Sequence, residues 1–502
     1  MCGIVAIHRP NTSVILTDDL ARGRRMVERV GHRGPDGQGQ RIVGPTFLGH
    51  TRLAIVDLAE GQQPLPAPGD RWLVANGEIY NHQAIRADHP DYPFRTRSDS
   101  EAIAALIGRD GVPAIARLWG MFAFVYAGPD GSVVAARDEL GIKPLYWADV
   151  DGAVLFASEL RAFDPELRPE VREFPPGHAW TAAGGLVRIR PQVGAPAVPA
   201  DRAEARRLIR ERLITAVRRR LMADIPVGVF LSGGLDSSLV AAIMARHADP
   251  AHGPVRSFAA GTVDSSDLAA ARRVAEHLGL DHTERIYTAD EALAVLPEVV
   301  ASIESYEPSL VRSAIPNYLL AQTTARSVKV VLTGEGADEL FAGYDHLREL
   351  DLDQLQAELE RSVRGLHNLN LQRCDRVTMA FGLEARVPFL DLDLVALAES
   401  IPIGWRLPGR LGQEKALLRE AFAGWLPDDL LWRVKEQFGD GSGMAALIRD
   451  HGHALDLPAN WRAHRVSDLE APRSREELAY QRLFADRLDG ISEDVLGRFA
   501  TA

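Results

Sequence analysis

Two absences limit what this chain can be. It has only two cysteines, Cys2 and Cys374, in 502 residues, so a scaffold held together by disulfides is excluded. It also lacks a long hydrophobic run, because its longest apolar stretch, near residues 118–127, is about half of a membrane span. No basic leader with an apolar segment is recognisable at its start. These features predict a cytoplasmic protein that does not enter a membrane.

Lysine is the third scarce residue. Only four of the 57 basic residues are lysines, namely Lys143, Lys329, Lys415 and Lys435. Because arginine serves wherever a generic positive charge suffices, a retained lysine is expected to need a compact ammonium instead of a forked guanidinium. The net charge of −12 argues against nucleic-acid partners and favours small-molecule ones.

The chain is too long for one hydrophobic core, so two or three domains are expected. Residues 1–190 contain short β-type runs separated by Gly, Pro and Asp, which predicts an α+β domain with mainly antiparallel sheets. A Pro/Ala/Gly-rich stretch at 191–201 predicts a linker. In residues 202–502, short strands first alternate with helices, which predicts a parallel α/β sheet, and 345–502 read mostly as helices.

Cys2 is the first candidate for chemistry. It directly follows Met1, so removal of the methionine would leave a free α-amine beside the thiol. An α-amine with a pKa near ~8 can act as the general base of its own nucleophile. The alternatives are a small buried residue near the chain terminus and a lipid anchor, although no basic or apolar anchor lies beside Cys2.

Seven short segments strengthen the catalytic interpretation. In order along about 150 residues they are MCGIVAI, HRGPDG, HTRLAIVDL, NGEIYNH, RSDSEAI, GMFAFVY and RDELGIKPLYW. Together they resemble the motif set of the class II glutaminase domain, which opens asparagine synthetases and several other glutamine amidotransferases. The resemblance implies an αββα sandwich of the N-terminal nucleophile hydrolase kind for residues 1–190.

The same resemblance implies roles for individual residues. Cys2 would attack the side-chain amide of glutamine and release ammonia, while Asn76 and Gly77 would donate hydrogen bonds to the oxyanion. An arginine fork suits the α-carboxylate of glutamine, and carboxylates suit its α-ammonium. Without the motif context, these residues would be interpreted as an ion pair and turn formers. The residues implied to bind glutamine are Arg52, Asn76, Glu78 and Asp99.

A second constellation follows the apolar run at 227–231, where a Ser/Gly loop precedes a helix. Two glycines let backbone N–H groups close on an anion, hydroxyls add donors, and the helix N-terminus adds positive potential. The loop matches neither G-x-x-x-x-G-K-[ST] nor G-x-G-x-x-G, and its structural alternative is a tight βα turn. It resembles the PP-loop motif of ATP pyrophosphatases, which leave AMP on the substrate.

A Gly-rich turn after the run at 328–332 is expected to reach the same sheet edge. Asp236 and Asp338 then form a predicted oxygen-ligand pair for Mg²⁺, although Asp338 also suits a helix N-terminus. Leu231 and Ala260, at two strand ends, are implied by the resemblance to line the adenosine pocket or else are core residues. The full set expected to bind ATP or pyrophosphate is Leu231, Ser232, Gly233, Gly234, Asp236, Ser237, Ala260, Thr333 and Gly334.

Two residues complete the predicted synthetase centre. The resemblance to asparagine synthetases makes Glu335 the base that deprotonates the ammonia-derived intermediate, although the family's two serines are Thr333 and Ala337 here. It also gives Lys435, in a KEQF segment, the task of stabilising negative charge at the α-phosphate and the acyl oxygen. The scarcity of lysine argues against a generic surface position for Lys435, whereas Lys143 and Lys415 are interpreted as structural.

The resemblance covers nearly the whole chain but weakens at the acceptor pocket. Arg312 is retained as the implied carboxylate clamp, and Ser309 can replace a threonine hydroxyl. Leu310 stands where the family has a second threonine, and it can neither donate nor accept a hydrogen bond. A polar site loses discrimination when such a partner is missing, so an acceptor other than aspartate stays open.

The sequence therefore predicts synthesis of asparagine from aspartate, glutamine and ATP, with Mg²⁺ as the metal and AMP and pyrophosphate as products. Three alternatives remain: the same chemistry on another carboxylate metabolite, an ATP-dependent cyclase resembling β-lactam synthetase, and a sensor that has lost catalysis. Retention of Cys2, Asn76 and Glu78 argues against the cyclase, and the intact nucleophile and phosphate loop argue against the sensor. A homodimer is the default expectation for assembly.

Overall fold

The structure is a computed structural model that describes residues 2–407 except 195 and 197, 412–435, 442–444, and 460–499 except 468. Within these residues, no helix combines the length and the apolar character needed to cross a membrane.

Two six-stranded antiparallel sheets form the N-terminal half. Their strands are β1 (Gly3–His8), β2 (Gly37–Val43), β3 (Thr46–Arg52), β4 (Leu65–Ala67), β5 (Arg71–Ile79), β6 (Gly120–Ala127), β7 (Val133–Arg137), β8 (Tyr146–Val150), β9 (Ala153–Ala157), β10 (Arg172–Glu173), β11 (His178–Thr181) and β12 (Gly185–Arg188). The first sheet has the order β10-β8-β9-β1-β3-β2 and the second β12-β11-β7-β6-β5-β4. Cys2 precedes a central strand of the first sheet.

The two sheets pack face to face and carry helices on their outer faces. Helix α1 (Thr17–Arg29) lies on β1 and β3, α2 (His82–Asp88) follows β5, and α3 (Glu101–Asp110) lies on β4 and β5. Side chains from both sheets meet in one buried core, because β1 and β6 are apolar on both faces. The layer order is helix, sheet, sheet, helix, as the resemblance implied.

A five-stranded parallel sheet organises the C-terminal half. Its strands are β13 (Val227–Phe230), β14 (Arg256–Gly261), β15 (Asp281–Ile286), β16 (Val330–Leu332) and β17 (Glu384–Arg386). They lie in the order β15-β14-β13-β16-β17, and every neighbouring pair is parallel. Parallel pairing requires crossover segments, which here are helical.

The helices of this half cover the sheet and extend beyond it. They are α4 (Arg202–Arg219), α5 (Leu235–His247), α6 (Ser266–Leu278), α7 (Ala289–Ile303), α8 (Pro308–Thr324), α9 (Ala337–Leu340), α10 (Leu352–Gly365), α11 (Asn370–Met379), α12 (Leu392–Ser400), α13 (Ala416–Ala421), α14 (Asp428–Leu431) and α15 (Arg475–Leu488). The predicted fold class is thus confirmed. The domain limits 1–190, 191–201 and 202–502 stay predictions, although the antiparallel sheets end at Arg188 and α4 begins at Arg202.

Candidate active site

The environment of Cys2 is built from two neighbouring elements. Cys2 is buried, and its backbone N–H donates to Asn76 Oδ1 at 3.0 Å. Its carbonyl accepts from Arg33 Nε, also at 3.0 Å. Burial raises the pKa of the Cys2 thiol, so the neutral thiol is favoured and a base must take its proton. The α-amine that is expected to act as this base would be freed by removal of Met1, a residue that lies outside the described part of the chain.

The predicted oxyanion donors lie on β5, opposite β6. Asn76 is fully buried, and because its oxygen accepts from Cys2, its Nδ2 donor is left without a partner in the structure. Gly77 has φ +139°, and a Cβ there would lie 1.9 Å from the carbonyl oxygen of Met121. Only glycine therefore lets β5 approach β6 at this position. The unpaired amide beside the nucleophile is the arrangement that an oxyanion requires.

Two of the predicted glutamine-binding residues flank this position. Arg52, at the end of β3, donates to the carbonyl oxygens of Asp57 at 2.6 Å and Leu58 at 3.1 Å, which fix its guanidinium. Asp99 accepts from the backbone N–H of Ile79 at 2.7 Å. Burial raises the pKa of Asp99 to about 6. A bound ammonium would favour its ionised form.

Glu78 meets a cation from the other half of the chain. Its Oε1 lies 3.2 Å from Arg386 Nη2, and its Oε2 is buried without a hydrogen-bond partner. Burial and the neighbouring charge of Glu384 raise the pKa of Glu78 well above its ordinary value. Arg386 also pairs with Glu384 at 2.5 Å, so two buried carboxylates share one guanidinium. An incoming α-ammonium would supply the missing positive charge.

The predicted phosphate loop leads from β13 into α5. Ser232 Oγ accepts from the backbone N–H of Gly234 at 3.3 Å, and its own N–H donates to Ser237 Oγ at 3.2 Å. Gly233 has φ +73°, and a Cβ there would lie 2.6 Å from the Ala270 side chain. The loop is therefore a compact turn at the carboxyl edge of the sheet. Leu231 is buried beside it, and Ala260 is buried at the end of β14.

The turn after β16 meets this loop closely. Gly334 is so near the start of α5 that a Cβ would lie 2.8 Å from Asp236 Cβ. Thr333 is buried, and its backbone N–H donates to the Arg386 carbonyl at 2.9 Å. Strand β17 therefore contacts both candidate centres, because its Arg386 backbone touches this turn and its side chain reaches Glu78. The predicted convergence of the two loops is present.

A lysine lies between the two predicted metal ligands. Lys415 Nζ is 2.7 Å from Asp338 Oδ1 and also contacts Asp236 Oδ2. Lys415 is buried, whereas the two carboxylates are partly accessible. Burial alone would raise the pKa of Asp338, but Lys415 and Lys435 outweigh it and hold that pKa well below its ordinary value. Lys415, which the sequence analysis interpreted as structural, thus contacts both predicted metal ligands.

These residues fit a magnesium ion in their chemistry. Asp236 Oδ1 is a buried carboxylate oxygen without a hydrogen-bond partner, and Asp338 lies on the other side of Lys415. Mg²⁺ in nucleotide sites commonly takes one or two carboxylates together with phosphate oxygens. No cluster of three or more His, Cys, Asp or Glu side chains suited to a metal occurs among the described residues. The pair therefore suits a metal that arrives with a nucleotide.

Lys435 reaches the same cluster from the segment after α14. Its ammonium contacts Asp338 Oδ1, donates to the Gly343 carbonyl at 2.9 Å and lies 4.8 Å from the Tyr344 ring centroid. The site thus contains two of the chain's four lysines. The following residues of the predicted segment, 436–438, lie outside the described part of the chain.

Glu335 is paired with an arginine that the sequence analysis did not single out. Arg373, on α11, contacts Glu335 Oε1 and donates from Nη1 to Ser313 Oγ at 2.8 Å. Arg373 is buried, so its partners fix its position. It lies outside the motifs of the sequence analysis and carries no distinctive local signal, because arginine is abundant in this chain. Lys415 could have been found, since the scarcity of lysine applied to it equally.

The predicted acceptor residues occupy one face of α8. Ser309 Oγ accepts from Arg312 Nη2 at 3.3 Å, and Arg312 Nη1 pairs with Glu476 at 2.7 Å. Leu310, by contrast, is 1% exposed and belongs to the hydrophobic core beneath the helix. Its departure from the family pattern therefore changes core packing and leaves the polar face of α8 intact.

Comparison with protein families matches the chain twice. A glutamine amidotransferase domain model matches residues 1–179, and an asparagine synthase model matches residues 208–354 and 350–490. The two matches follow the division between antiparallel and parallel sheets.

Individual relatives agree with these matches. Asparagine synthetase [glutamine-hydrolyzing] 2 of Oryza sativa is 37% identical, covering 96% of this chain and 85% of the relative. Asparagine synthetase [glutamine-hydrolyzing] 3 of Arabidopsis thaliana is 38% identical, covering 96% of this chain and 87% of the relative. Asparagine synthetase [glutamine-hydrolyzing] of Asparagus officinalis is 37% identical, covering 96% of this chain and 85% of the relative. Among solved structures, a Bacillus subtilis glutamine PRPP amidotransferase covers 56% of this chain and 65% of its own at 19% identity, with a TM-score of 0.32 that is too low to bear on the fold.

Proposed function

The chain belongs to the family of glutamine-hydrolysing asparagine synthetases, and we propose from this that it makes asparagine from aspartate, glutamine and ATP. One observation carries the proposal: a buried cysteine with an unpaired amide donor and a carboxylate–lysine cluster at a parallel-sheet edge occur in one chain. The first arrangement suits release of ammonia, and the second suits activation of a carboxylate by ATP. A cyclase that does not use glutamine would have no need for the first.

In the N-terminal half, the Cys2 thiolate adds to the side-chain carbonyl of glutamine. The α-amine that removal of Met1 would free takes the thiol proton and passes it to the departing nitrogen. Asn76 Nδ2 and the Gly77 N–H donate to the oxyanion, and its collapse forms a thioester and releases ammonia. Water then hydrolyses the thioester to glutamate. Arg52 binds the α-carboxylate of glutamine, and Glu78 and Asp99 bind its α-ammonium. The unpaired Nδ2 of Asn76 and the fixed guanidinium of Arg52 support these assignments.

In the C-terminal half, the β-carboxylate of aspartate attacks the α-phosphorus of ATP, which gives β-aspartyl-AMP and pyrophosphate. The loop of Ser232, Gly233, Gly234 and Ser237, with Thr333 and Gly334 of the facing turn, binds the phosphates. Leu231 and Ala260 line the adenosine pocket. Asp236 and Asp338 would hold Mg²⁺, which neutralises phosphate charge when bound.

Ammonia then attacks the β-carbonyl of the adenylate, and AMP leaves. Lys435 stabilises the negative charge that develops on the acyl oxygen and the α-phosphate. Glu335 accepts the proton that the attacking ammonia loses, and Arg373 orients its carboxylate. Ser309 and Arg312 bind the acceptor. The substrates are small molecules, and we assign the reaction to the cytoplasm and expect a homodimer.

The two half-reactions can be separated by one substitution. Cys2→Ala should abolish glutamine-dependent asparagine synthesis and leave ammonia-dependent synthesis within about twofold, because only the nucleophile is removed. Cys374→Ala is the matched control, since it removes the other cysteine, which is also buried, and should keep both activities. Survival of glutamine-dependent synthesis in Cys2→Ala would refute the glutaminase assignment. Absence of aspartate-dependent pyrophosphate release in the unmodified protein would refute aspartate as the acceptor.

A further inference from the structure

The acceptor side of α8 carries a charge pair of both signs. Arg312 Nη1 and Glu476 Oε2 lie 2.7 Å apart, and the two side chains are 33% and 19% exposed. Glu476 is in the first turn of α15, from a part of the chain to which neither the motifs nor the mechanism assigns a role. The pair is reachable from solvent and joins two helices that are far apart in sequence.

The Glu476 carboxylate is held in position by a second contact. Tyr480, fully buried one turn later on α15, donates its hydroxyl to Glu476 Oε1 at 2.7 Å. Each carboxylate oxygen thus has one donor, and each retains capacity to accept another. A side chain held by a buried tyrosine loses little further freedom on binding a ligand.

The anchoring of α15 does not depend on Glu476. Ser474 caps the helix by accepting from the Glu477 N–H at 3.0 Å. Glu477 is fully buried and pairs with Arg473 at 3.1 Å, while Leu478 and Phe484 pack in the core. The partly exposed pair of Arg312 and Glu476 adds little to stability by comparison. Its position therefore calls for a reason other than holding the helix.

The pair lies beside the predicted reaction centre. Ser313 follows Arg312 on α8 and accepts from Arg373, which contacts Glu335. Ser309 is one helical turn earlier and accepts from Arg312. One turn of helix spans about 5.4 Å. Ser309 and Arg312 thus lie within about one helical turn of Ser313, whose partner Arg373 contacts the predicted base, and this is close enough for the far end of a small acceptor.

We propose that Glu476, held by Tyr480, binds the α-ammonium of the acceptor while Arg312 binds its α-carboxylate. An α-amino acid carries both charges on neighbouring atoms, so a cation and an anion side by side complement it. A dicarboxylate without the ammonium would offer Glu476 no positive charge, and the negative charge of Glu476 would repel it. The pair therefore selects an amino acid over a plain diacid, and this inference rests on the proposed use of aspartate.

The test compares aspartate with succinate, which keeps both carboxylates and lacks the ammonium. Pyrophosphate release is measured with ammonia as nitrogen donor, so the glutaminase centre is not involved. Glu476→Gln should raise the KM for aspartate about tenfold or more, because a charged partner of the ammonium is lost. The KM for ATP should stay within about twofold, and the rate with succinate should stay the same or rise because its repulsion by Glu476 is removed, so the preference for aspartate over succinate should collapse.

Glu298→Gln is the matched control. It removes the carboxylate that pairs with Arg487 at 2.9 Å and so breaks another contact between α15 and the rest of the chain. Arg487 is eleven residues beyond Glu476, about 16 Å along the helix. This variant should keep the KM for aspartate and the preference over succinate.

Two outcomes would overturn the inference: an unchanged aspartate KM in Glu476→Gln, or an equal loss of rate with both acceptors, which would indicate a structural role. Tyr480→Phe provides a second variant should Glu476→Gln fail to fold, since it removes one hydrogen bond from a buried ring. It should raise the aspartate KM about threefold without changing the rate with succinate, and no rise would contradict the proposal. An unmodified protein that ignores aspartate would refute the proposed function, and this inference with it.

Discussion

Lys415 places a buried positive charge where two partly accessible aspartates would otherwise face each other. Asp236 and Asp338 belong to different helices, and like charges at such a site repel strongly in a medium less polar than water. The Lys415 ammonium between them offsets this repulsion, although burial still raises the pKa of Asp236. A guanidinium could not fit this position equally well, because its fork is planar and longer. This explains why a lysine is kept in a chain that otherwise uses arginine.

Lys415→Met should therefore disable the synthetase centre. Removing one partner of a buried ion cluster costs roughly 3–5 kcal/mol, and the two carboxylates would lose the cation that positions them. We expect ammonia-dependent pyrophosphate release to fall at least about 100-fold, with glutamine hydrolysis retained.

The control for this substitution is another of the four lysines. Lys329 pairs with Asp36 at 2.8 Å but is 39% exposed, so Lys329→Met should change pyrophosphate release by less than about twofold. Equal activity of Lys415→Met and the unmodified protein would show that the cluster needs no lysine at this position.

At the scale of elements, β5 and β6 determine how the proposed oxyanion donors are presented. Gly77 lets the two strands approach at a position where any side chain would collide with the Met121 carbonyl. Asn76 lies next to it and Glu78 follows, so one short stretch of β5 supplies a proposed oxyanion donor, a close contact and a carboxylate. The position of the strand is therefore tied to the chemistry of its side chains.

Gly77→Ala should shift β5 away from β6 and displace the donors. The added Cβ would lie 1.9 Å from the carbonyl oxygen, and φ +139° is strained for alanine. We expect glutaminase kcat/KM to fall about 100-fold or more, as for loss of an oxyanion donor, with ammonia-dependent synthesis retained.

Gly69 offers a matched control just before the same strand. It also has positive φ, +75°, but the nearest atom to a Cβ at this position, Arg71 Nε, would be 3.9 Å away. Gly69→Ala should therefore cost about 1 kcal/mol of stability through backbone strain and leave glutamine hydrolysis intact. A similar loss of activity in both variants would contradict the close-approach argument.

Most elements that position the sites could be predicted, and the exceptions have physical reasons. The short β-type runs predicted for residues 1–190 are found as strands, for example at Ala153–Ala157, where apolar β-branched and aromatic residues follow an Asp-Gly turn. Strand β17 was missed within a region predicted as mostly helical. It has only three residues, and two of them are charged. Glu384 and Arg386 can be buried there because they pair with each other, a contact that no local pattern reveals.

The residues of the candidate sites also divide into those that the sequence could predict and those that it could not. Cys2 and Asn76 stand in motifs whose order along the chain is informative, and Asp236 stands in the PP-loop motif, so the sequence predicts the site to which each of them belongs. Arg373 and Glu476 come from separate helices and meet their partners only in the folded chain. Arginine and glutamate are too common in this sequence to mark such positions. The sequence analysis interpreted Leu310 as a change in the acceptor pocket. Which face of α8 carries this side chain depends on how the helix packs, and the sequence does not reveal that packing.

For the whole molecule, a buried arginine joins the two halves at Cys2, the proposed nucleophile. Arg33 is fully buried and donates from Nη1 to Glu159 at 2.7 Å and to Asp375, on α11, at 2.8 Å. Its Nε donates to the Cys2 carbonyl at 3.0 Å. Arg33 thus links the Asp375 carboxylate of the C-terminal half directly to the backbone of Cys2. The geometry of Cys2 therefore depends on how the two halves pack.

Asp375→Asn should consequently impair glutamine hydrolysis from the other half of the chain. It leaves the Arg33 charge with one carboxylate fewer, which weakens its hold on the Cys2 carbonyl. We expect glutaminase kcat/KM to fall about tenfold, with a smaller change in ammonia-dependent synthesis, measured side by side.

Acid stability gives this prediction a second readout. Burial alone would raise the pKa of Asp375, but Arg33, Lys143 and Arg376 outweigh it and lower that pKa. A carboxylate with a lowered folded pKa stabilises the protein above its unfolded pKa of about 4, and this contribution is lost as the pH falls through the folded pKa. Thermal unfolding at neutral pH should therefore occur at lower temperature in Asp375→Asn, and the difference should shrink below about pH 4.

Lys329→Gln separates this effect from a general loosening of the two halves. Lys329 and Asp36 also join them, at 2.8 Å, but in an exposed position where an ion pair contributes roughly 0–1 kcal/mol. The Lys329→Gln variant should keep its glutaminase activity and its unfolding temperature. Equal losses in the two variants would mean that any contact between the halves supports the nucleophile, whereas a loss confined to Asp375→Asn assigns that support to the buried Arg33.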